Sequence, residues 1–459
     1  MTESAAIATH RRVEVHAVID EGLGHSSYVL GLGDGTAAVI DPARFPERQR
    51  QIAAERGWKI RWTADTHSHA DYISGSTELA AEGADFLASR GAQLQIAHRP
   101  VAAGEMITLA EGVALRAIAT PGHTPDHLAY LLVVDDIPAG LFSGGSLMVG
   151  AVGRTDLSGD EQRDELARAL FHALREEILT LPDDLAVYPT HGAGSFCSAP
   201  AGLARTTTIG AERIGNPLLG IDDEDQFVAT LLDGLGSFPG YFRQLPERNR
   251  RGPRVYPGVP QLDPLDLDAV RRHIAAGARL VDARPIAAHA AGHIPGSLSI
   301  ELRPVFASWL GWLVPLDEPI LFILDDDTDR TELVRQCLTV GHENLLGELG
   351  HGIAAWVEAG LPLDTIQLVR PSELRGTVLD IRQQAEWNAG HLPDAIHVEL
   401  GRLADTDVAP GPLTAMCGHG ERAMTAASIL QARGHDDLSV LLGGPTDWVT
   451  ATGGALQTA

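Results

Sequence analysis

The sequence predicts an α/β protein of several domains, in which a layered, strand-rich domain precedes two smaller, doubly wound units of alternating strands and helices. A chain of 459 residues is too long for one ordinary hydrophobic core, so two to four domains are expected. In the first half, β-rich runs alternate with stretches whose apolar residues recur at helical spacing. In the second half, a stretch around Asp282 returns 98 residues later around Asp380, which indicates two copies of one small fold.

The composition favours small-molecule partners. The formal net charge of −26 comes from 61 acidic and 35 basic residues, which disfavours binding to nucleic acid or to an anionic membrane. No apolar run approaches the roughly 20 residues that span a bilayer, and the first residues lack the apolar core of a signal peptide, so we expect a cytoplasmic protein. Three widely spaced cysteines, Cys197, Cys337 and Cys417, argue for reduced thiols rather than a disulfide framework.

The first domain, predicted over residues 1–255, opens with strands. Asp34 and Gly35 separate two β-rich runs, as is typical of a hairpin turn. Further strand-like segments then alternate with helical ones, and the clearest helical pattern is DEQRDELARALFHALREEILTLP. This alternation predicts a layered α/β domain.

Histidines stand at the ends of several predicted strands in this domain. His67 and His69 are two residues apart in THSHADYISG, so they project to the same side and can share a metal ion. His123 in TPGHTPDH and His191 in HGAGSFC each follow a strand and lie next to glycine. One such histidine would more often be an ordinary surface residue, but four in these contexts predict a metal site.

These motifs, over residues 13 to about 255, resemble the metallo-β-lactamase fold, an αββα sandwich. THSHADYISG, TPGHTPDH, the glycine-rich turn before VGRTDL, and HGAGSFC are similar to the motifs of persulfide dioxygenases. The resemblance implies one non-haem iron and oxidation of the sulfane sulfur of glutathione persulfide, or of a related thiol persulfide, to sulfite.

Two positions depart from the motifs of that family. Tyr72 replaces the last histidine of the His-x-His-x-Asp-His motif, which is compatible with one metal ion and argues against two. Gly145 stands where the family has a ligating aspartate, whereas oxygen-activating Fe(II) favours two histidines and one carboxylate. We therefore expect one metal ion, Fe(II) or Zn(II), with the ligands His67, His69 and His123. Asp71 or His191 could contribute through water or by a hydrogen bond to a ligand.

Two further residues match positions of the same family. Arg154 in VGRTDL corresponds to an arginine near the cleft for the persulfide-bearing thiol, and an anionic thiol would need such a cation. A surface salt bridge is the equally weighted alternative for Arg154. Cys197 is either structural or a relay thiol, and the sequence does not decide between these roles.

The second half is predicted to contain two related domains, at residues 265–362 and 370–459. A proline- and arginine-rich stretch between about residues 236 and 264 is typical of a linker draped over a surface, and we place the boundary there. Each copy has an apolar strand, an Asp-x-Arg turn, a Gly-His-hydrophobic-Pro step, another strand and a helix. These motifs, with the loop CGHGERA, resemble the rhodanese family of sulfurtransferases.

Cys417 is the candidate nucleophile of the second copy. It follows an apolar strand and precedes a short glycine-containing loop and a helix, so backbone N–H groups and the helix N-terminus can stabilise its thiolate. Arg422 resembles the family arginine that closes the loop. The first copy has Asp325 at the corresponding position, so we expect it to lack its own chemistry. Cys337 is expected to be a core residue.

The sequence therefore predicts a sulfur-metabolism enzyme in which Cys417 transfers sulfane sulfur and the metal domain oxidises a thiol persulfide. The expected partners are glutathione persulfide, a similar thiol persulfide or thiosulfate, and a homo-oligomer is expected. A zinc-dependent hydrolase fused to a sulfurtransferase is the alternative, because a His-only site suits Zn²⁺. In a third hypothesis, the metal domain is a non-catalytic module that delivers persulfide to Cys417.

Overall fold

The computed structural model describes residues 6–10, 12–197 and 204–458, which form two compact units. Unit 1 comprises Met1–Val259 with Leu338–Gly341, and unit 2 comprises Pro260–Cys337 with His342–Ala459. None of the helices in these described ranges is long and apolar enough to cross a membrane.

Unit 1 contains a seven-stranded sheet in the order β1 to β7. The first four strands pair antiparallel and the last four pair parallel, so β4 is the strand at which the direction changes. The strands are β1 (Ala8–His10), β2 (Val13–Asp20), β3 (His25–Gly31), β4 (Thr36–Ile40), β5 (Lys59–Ala64), β6 (Asp85–Ser89) and β7 (Arg99–Val101).

A second sheet of unit 1 has six strands in the order β15-β14-β11-β10-β9-β8. The strands β12 and β13, between β11 and β14 in the chain, form a separate two-stranded hairpin. The strands are β8 (Met106–Ala110), β9 (Val113–Ala119), β10 (Leu128–Val134), β11 (Ile137–Gly144), β12 (Leu147–Met148), β13 (Ala151–Val152), β14 (Ala186–Pro189) and β15 (Thr207–Thr208).

The two sheets pack face to face, and helices cover their outer faces. Tyr28 of β3, Tyr130 of β10 and Phe142 of β11 are buried in one apolar core that both sheets share. A smaller cluster packs α1 and α2 on the first sheet, and a larger one packs α3 and α5 on the second. The helices are α1 (Glu47–Glu55), α2 (Ser76–Ala81), α3 (Arg163–Ala173), α4 (Ile209–Gly215), α5 (Glu224–Asp233) and α6 (Leu245–Arg251). The predicted αββα sandwich is confirmed.

The stretch expected to be a surface linker is partly buried in unit 1. Tyr241 and Phe242 are almost fully buried, and α6 follows them directly. The Tyr241 hydroxyl donates to the backbone oxygen of Asp71 at 3.1 Å, and Asn249 Nδ2 donates to the backbone oxygen of Tyr72 at 2.9 Å. The expectation of a draped linker was wrong for these residues, because single aromatic and amide side chains among the prolines and arginines pack under the predicted metal motif.

Unit 2 contains two parallel five-stranded sheets with the same strand order, β16-β20-β19-β17-β18 and β21-β25-β24-β22-β23. The strands are β16 (Pro264–Leu265), β17 (Arg279–Asp282), β18 (Leu298–Ser299), β19 (Ile320–Ile323), β20 (Leu345–Leu349), β21 (Gln367–Val369), β22 (Thr377–Asp380), β23 (Ile396–His397), β24 (Leu413–Met416) and β25 (Leu438–Leu441). The helices are α7 (Leu267–Ala275), α8 (Ile286–Ala291), α9 (Phe306–Leu313), α10 (Arg330–Thr339), α11 (Gly352–Glu358), α12 (Gln384–Ala389), α13 (Glu421–Ala432) and α14 (Pro445–Thr452). Both copies are the predicted doubly wound α/β units.

The repeated Asp-x-Arg motif joins elements within each copy. Asp282 at the end of β17 accepts two hydrogen bonds from Arg284, whose Nη2 also donates to the Gly292 oxygen at 2.9 Å. Asp380 and Arg382 make the same arrangement in the second copy. These buried, charge-assisted bonds fix the strand end against the Gly-His step, so the motif is structural in both copies.

Candidate metal centre and cysteine loop

The predicted metal residues of unit 1 follow the ends of three strands. His67 and His69 lie just beyond β5, His123 follows β9, and His191 follows β14. All four side chains are at most 3% exposed. Each therefore contributes a ring to a buried site among the loops that follow these strands.

Three of these histidines converge on one point. Ligand atoms of His67, His123 and His191 all lie within 4.8 Å of one another, and the Nε2 atoms of His67 and His191 are 3.2 Å apart. His123 Nε2 is buried and has no hydrogen-bond partner among the described residues. Three converging imidazole nitrogens, one of which has no hydrogen-bond partner among the described residues, form a donor set that Zn²⁺ or Fe(II) can bind.

The other ring nitrogen of each of these histidines faces an acceptor. The Thr66 hydroxyl donates to Asp41, so it accepts from His67 Nδ1 at 2.9 Å. His123 Nδ1 donates to the Arg154 backbone oxygen at 2.8 Å. His191 Nδ1 lies 3.3 Å from Asp71 Oδ2. This arrangement places the proton of His67 and of His123 on Nδ1 and leaves their two Nε2 lone pairs directed inward, beside His191 Nε2.

Burial favours the neutral form of His67 and His123. It lowers the pKa of His67 well below its usual value, and the neighbouring histidines lower it further. Burial, reinforced by His191, lowers the pKa of His123 to about 3. Burial alone would raise the pKa of Asp71, but the adjacent His191 and His69 rings outweigh it and bring the pKa to about 2. At neutral pH the site therefore combines the neutral imidazoles of His67 and His123 with the ionised carboxylate of Asp71.

His69 lies beside the three converging rings but is held differently. Its Nε2 is 3.2 Å from Asp41 Oδ1 and 3.1 Å from the Tyr72 hydroxyl. Burial lowers the pKa of His69, but the charge of Asp41 outweighs this effect and raises the pKa to about 8. His69 forms a second potential ligand group with Asp71 and His191. Its expected role as a metal ligand stays a prediction.

Tyr72 is part of the packing around this site. Its ring is fully buried and stacks on His25 and His69, with ring centroids 4.4 and 4.3 Å away. Its hydroxyl donates to the Asp41 backbone oxygen at 3.3 Å. Tyr72 therefore fills its position with a packed aromatic ring that supports His69.

The space into which a side chain at position 145 would project is occupied by the His123 ring. A Cβ at Gly145 would lie 2.2 Å from His123 Cδ2, and a Cβ at Gly153 would lie 2.8 Å from His123 Nδ1. The His123 ring therefore packs closely against both glycines, and a side chain at either position would collide with it. The Gly145 N–H donates to His127 Nε2 at 2.9 Å, and His127 Nδ1 is 2.7 Å from the Thr120 hydroxyl. Sequence reasoning missed His127, although it is in the quoted motif TPGHTPDH.

Arg154 is buried and fully engaged by protein groups. It makes two bonds to the Asp156 carboxylate at 2.7 and 2.9 Å, and it donates to the backbone oxygens of Phe196 and Gly236, both at 2.8 Å. Its guanidinium lies over the Phe238 ring. These contacts give it a structural role beside His123, and its expected role in substrate binding stays a prediction.

Cys197 is fully buried near Asp71. Burial, reinforced by the Asp71 charge, raises the pKa of its thiol well above the usual value, so it is a protonated thiol at neutral pH. Its backbone N–H donates to Ser195 Oγ at 3.1 Å, and its backbone oxygen accepts from Arg154 N at 3.3 Å. These contacts support a structural role for this cysteine.

In unit 2, Cys417 stands between β24 and α13, at the start of a tight loop. The Gly420 N–H donates to Cys417 Sγ at 3.1 Å, as expected for a loop that stabilises a thiolate. Gly420 has a φ of +122°, which a side chain would strain. Arg422 makes two bonds to the Glu386 carboxylate, at 2.7 and 2.8 Å, which fixes the end of the loop to α12. The corresponding first-copy residue, Asp325, follows β19.

Comparisons with known proteins match both halves of the chain. The Metallo-beta-lactamase superfamily model matches residues 20–191, and the Rhodanese-like domain model matches residues 266–359 and 366–451. Persulfide dioxygenase ETHE1, mitochondrial, of Homo sapiens is 32% identical over 205 residues, which are 43% of this chain and 73% of that protein. The chain belongs to the persulfide dioxygenase family.

Other relatives share parts of the chain. A hydroxyacylglutathione hydrolase of a Polaromonas species is 36% identical over 160 residues, which cover 34% of this chain and 57% of that protein. The crystal structure of a metallo-beta-lactamase from Staphylococcus aureus covers 74% of this chain and 99% of its own, with a TM-score of 0.65 and 27% identity.

Membership of the persulfide dioxygenase family, together with two rhodanese-like domains, confirms the predicted fusion. The protein is an enzyme of sulfur metabolism. The metallo-β-lactamase fold and the buried histidine and aspartate clusters indicate that this persulfide dioxygenase relative binds metal. Gly145 remains a departure from the family motif, and the His123 ring packs against it.

Proposed function

We propose that the protein oxidises a small thiol persulfide at a single metal ion in unit 1 and transfers sulfane sulfur at Cys417 in unit 2. The observation that carries the first activity is the convergence of three imidazole nitrogens, those of His67, His123 and His191, in a buried site. The proposed substrates are glutathione persulfide, a similar thiol persulfide or thiosulfate. A cytoplasmic homo-oligomer remains part of the proposal, and the reduced cysteines support the cytoplasmic location.

The residues of unit 1 fit one metal ion, which we propose to be Fe(II), with Zn(II) as the alternative. His67 and His123 would hold it through Nε2, because each Nδ1 is bonded to an acceptor behind the ring. When bound, the metal would supply a Lewis-acidic centre for the persulfide sulfur and, as Fe(II), electrons for the reduction of O₂. The overall reaction balances when one thiol persulfide, one O₂ and one water give a thiol, sulfite and two protons.

The residues of unit 2 support sulfur transfer by a thiolate. The Cys417 thiolate attacks the outer sulfur of the donor, a new S–S bond forms at Sγ, and the bond to the donor's leaving group breaks. With thiosulfate as donor, the leaving group is sulfite and the charge balances. The Gly420 N–H then faces the sulfur that carries the new bond, and Arg422 adds positive charge at the loop.

A zinc-dependent hydrolase activity in unit 1 is the second candidate. It is favoured by the absence of a carboxylate at Gly145, because an imidazole-only donor set suits Zn²⁺. The similarity to hydroxyacylglutathione hydrolases supports the same candidate. A hydrolase would cleave a thioester of an anionic thiol with water, and it would need no O₂.

Metal analysis combined with oxygen uptake separates these candidates. The full chain is purified, its iron and zinc are measured, and it is reconstituted with Fe(II) or Zn(II) before oxygen consumption with glutathione persulfide is recorded. We expect consumption of O₂ with Fe(II) only, and its loss in His67→Ala and His123→Ala at equal protein concentration. Thioester cleavage by the Zn(II) form without oxygen uptake by the Fe(II) form would establish the hydrolase instead, and little bound metal would contradict both.

A further inference from the structure

The metal centre of unit 1 lacks the carboxylate ligand of its family, and the structure offers a replacement. We propose that His191, with the Asp71 carboxylate behind it, is the third protein ligand in place of the residue missing at Gly145. This inference rests on the proposed function only in assuming that unit 1 binds a metal ion. It concerns which side chains hold that ion, so it can fail or stand independently of the reaction.

A side chain at Gly145 has little space. It would begin 2.2 Å from His123 Cδ2 and 2.8 Å from His123 Nε2. The His123 ring is held in place, because its Nδ1 is bonded to the Arg154 backbone oxygen at 2.8 Å. The position that the family uses for a ligand is therefore occupied by another ligand's ring.

The nitrogens of His67 and His191 lie at the distance expected for two ligands of one ion. Two histidine nitrogens that bind one ion at about 2.0–2.1 Å in tetrahedral geometry lie about 3.3 Å apart. The two Nε2 atoms are 3.2 Å apart. Because His67 Nδ1 faces the Thr66 hydroxyl, the Nε2 lone pair of His67 is directed at His191, and a metal ion between the rings would accept a lone pair from each.

A buried carboxylate lies behind His191. Asp71 Oδ2 is 3.3 Å from His191 Nδ1, an ion-pair distance without hydrogen-bond geometry, and Asp71 is 2% exposed. A buried carboxylate next to the Nδ1 of a ligating histidine favours the proton on Nδ1 and increases the basicity of Nε2. Asp71 thus supplies a negative charge next to His191. In the family motif, by contrast, the carboxylate binds the metal directly.

His69 is the competing third ligand, and its contacts favour His191. The Nε2 of His69 faces Asp41 and the Tyr72 hydroxyl, at 3.2 and 3.1 Å. Its potential ligand groups contain Asp71 with His191, or Asp41 with Asp65, and not the pair His67 and His123. His69 would have to break the contact with Asp41 to join that pair, whereas His191 already lies beside His67.

A three-histidine set has a consequence for the substrate. Without a carboxylate ligand, a bound divalent ion keeps more of its positive charge toward the open coordination position. Such a centre favours an anionic fourth ligand such as a persulfide, because Asp71 is separated from that position by the His191 ring.

Metal titration without substrate tests the inference. Apo forms of the full chain are titrated with Co(II), whose visible absorption reports the coordination, and Zn(II) affinity is measured by competition with a chromophoric chelator. For His191→Ala we expect a loss of about 100-fold or more in Zn(II) affinity, and for Asp71→Asn about 10–100-fold, as for loss of a partner behind a ligand. His69→Ala should change the affinity far less than His191→Ala. His172→Ala, at an exposed histidine of α3, is the matched control and should leave binding unchanged.

Folding is checked in the same samples by circular dichroism and by sulfur transfer at Cys417, which belongs to the other unit. Wild-type affinity in His191→Ala, or a larger loss in His69→Ala than in His191→Ala, would overturn the inference. Binding of well under one equivalent of metal by the wild type would overturn both the inference and the metal-dependent function. The predicted binding pattern without persulfide oxidation by the Fe(II) form would support the inference and contradict the dioxygenase.

Discussion

The two rhodanese-like copies of unit 2 share a strand order but have loops of opposite polarity after the fourth strand. In the second copy, the Gly420 N–H donates to Cys417 Sγ, so the loop directs positive charge at its centre. In the first copy, Arg330 Nη1 donates to the backbone oxygens of Asp325, Asp326 and Thr328, at 3.2, 3.3 and 2.8 Å. The loop of the second copy therefore directs an N–H group at the Cys417 sulfur, and the loop of the first copy directs backbone oxygens at the Arg330 guanidinium.

The arginines at the two loop ends are held from different sides. Arg422 pairs with Glu386 of α12, which keeps the guanidinium at the rim of the cysteine loop. The residue that aligns with Glu386 in the first copy is Ala288, so Arg330 has no carboxylate there. Its other nitrogens bond Glu348 of β20 at 2.8 and 2.9 Å. The two copies therefore differ in which carboxylate the loop arginine pairs with: Glu386 of α12 for Arg422, and Glu348 of β20 for Arg330.

The largest effect is expected for Cys417→Ser. A serine hydroxyl is not ionised at neutral pH and cannot carry a sulfane sulfur, so sulfur transfer from thiosulfate to cyanide should be abolished. Cys337→Ser is the matched control, because burial raises the pKa of the Cys337 thiol and takes it out of thiolate chemistry. Transfer retained in the Cys417 variant would remove the distinction between the two copies.

Sequence reasoning identified the residues that carry local signals. Cys417 and Arg422 stand in a strand-loop-helix pattern, and His67 and His123 follow predicted strands, so their neighbourhoods could be inferred from short stretches. The polarity of the Arg330 loop and the packing of His123 between Gly145 and Gly153 were not predicted. They depend on contacts between segments far apart in the chain and on the space around one ring, which local patterns do not encode.

Burial of the supposed linker was missed for the same reason. Asn249 bonds the backbone oxygens of His69 and Tyr72, which precede it by about 180 residues, and nothing in the surrounding arginines and prolines indicates this contact. Repeat periodicity, by contrast, survives in the sequence because both copies use the Asp-x-Arg motif at the same strand end. The domain order was therefore more predictable than the site that lies within the first domain.

A smaller effect is expected for Gly420→Ala. The φ of +122° at Gly420 is strained for any residue with a Cβ, at a cost of order 1–3 kcal/mol, so the loop should open and its N–H should leave the sulfur. We expect sulfur transfer to fall about tenfold, the factor that 1.4 kcal/mol represents, with Cys417 still alkylated by iodoacetamide. The control is Gly434→Ala, at a positive-φ turn after α13, which should affect stability but not the rate of sulfur transfer. An unchanged rate in Gly420→Ala would show that the loop amide is dispensable.

The Asp-x-Arg motif of the first copy predicts a pH-dependent stability. Burial alone would raise the pKa of Asp282, but His289 and Arg284 outweigh it and lower the pKa to about 2. A depressed pKa contributes stability above the unfolded value of about 4, and this contribution is lost as the pH falls through about 2, for a total of about 2 kcal/mol. Asp282→Asn should therefore reduce the free energy of unfolding at pH 7 by about that amount, and the difference from wild type should shrink toward pH 3. A difference that does not change between pH 7 and pH 3 would show that the charge of Asp282 contributes nothing.

The smallest effect is expected at Asp325, the first-copy counterpart of Cys417. Its side chain is only partly buried, and the contacts that close the loop involve its backbone oxygen rather than its carboxylate. Asp325→Ala should therefore change sulfur transfer at Cys417 by less than about twofold, which is within the range typical of surface substitutions.

Asp325→Cys should not create a second active cysteine. The Arg330 guanidinium would still bind the backbone oxygens of this loop, which leaves few N–H groups to stabilise a persulfide. Thiosulfate-dependent labelling of the Cys417→Ser, Asp325→Cys double variant measures this directly, since any transfer must then come from residue 325. Activity of that double variant above the Cys417→Ser background would show that loop polarity does not decide which copy carries sulfur.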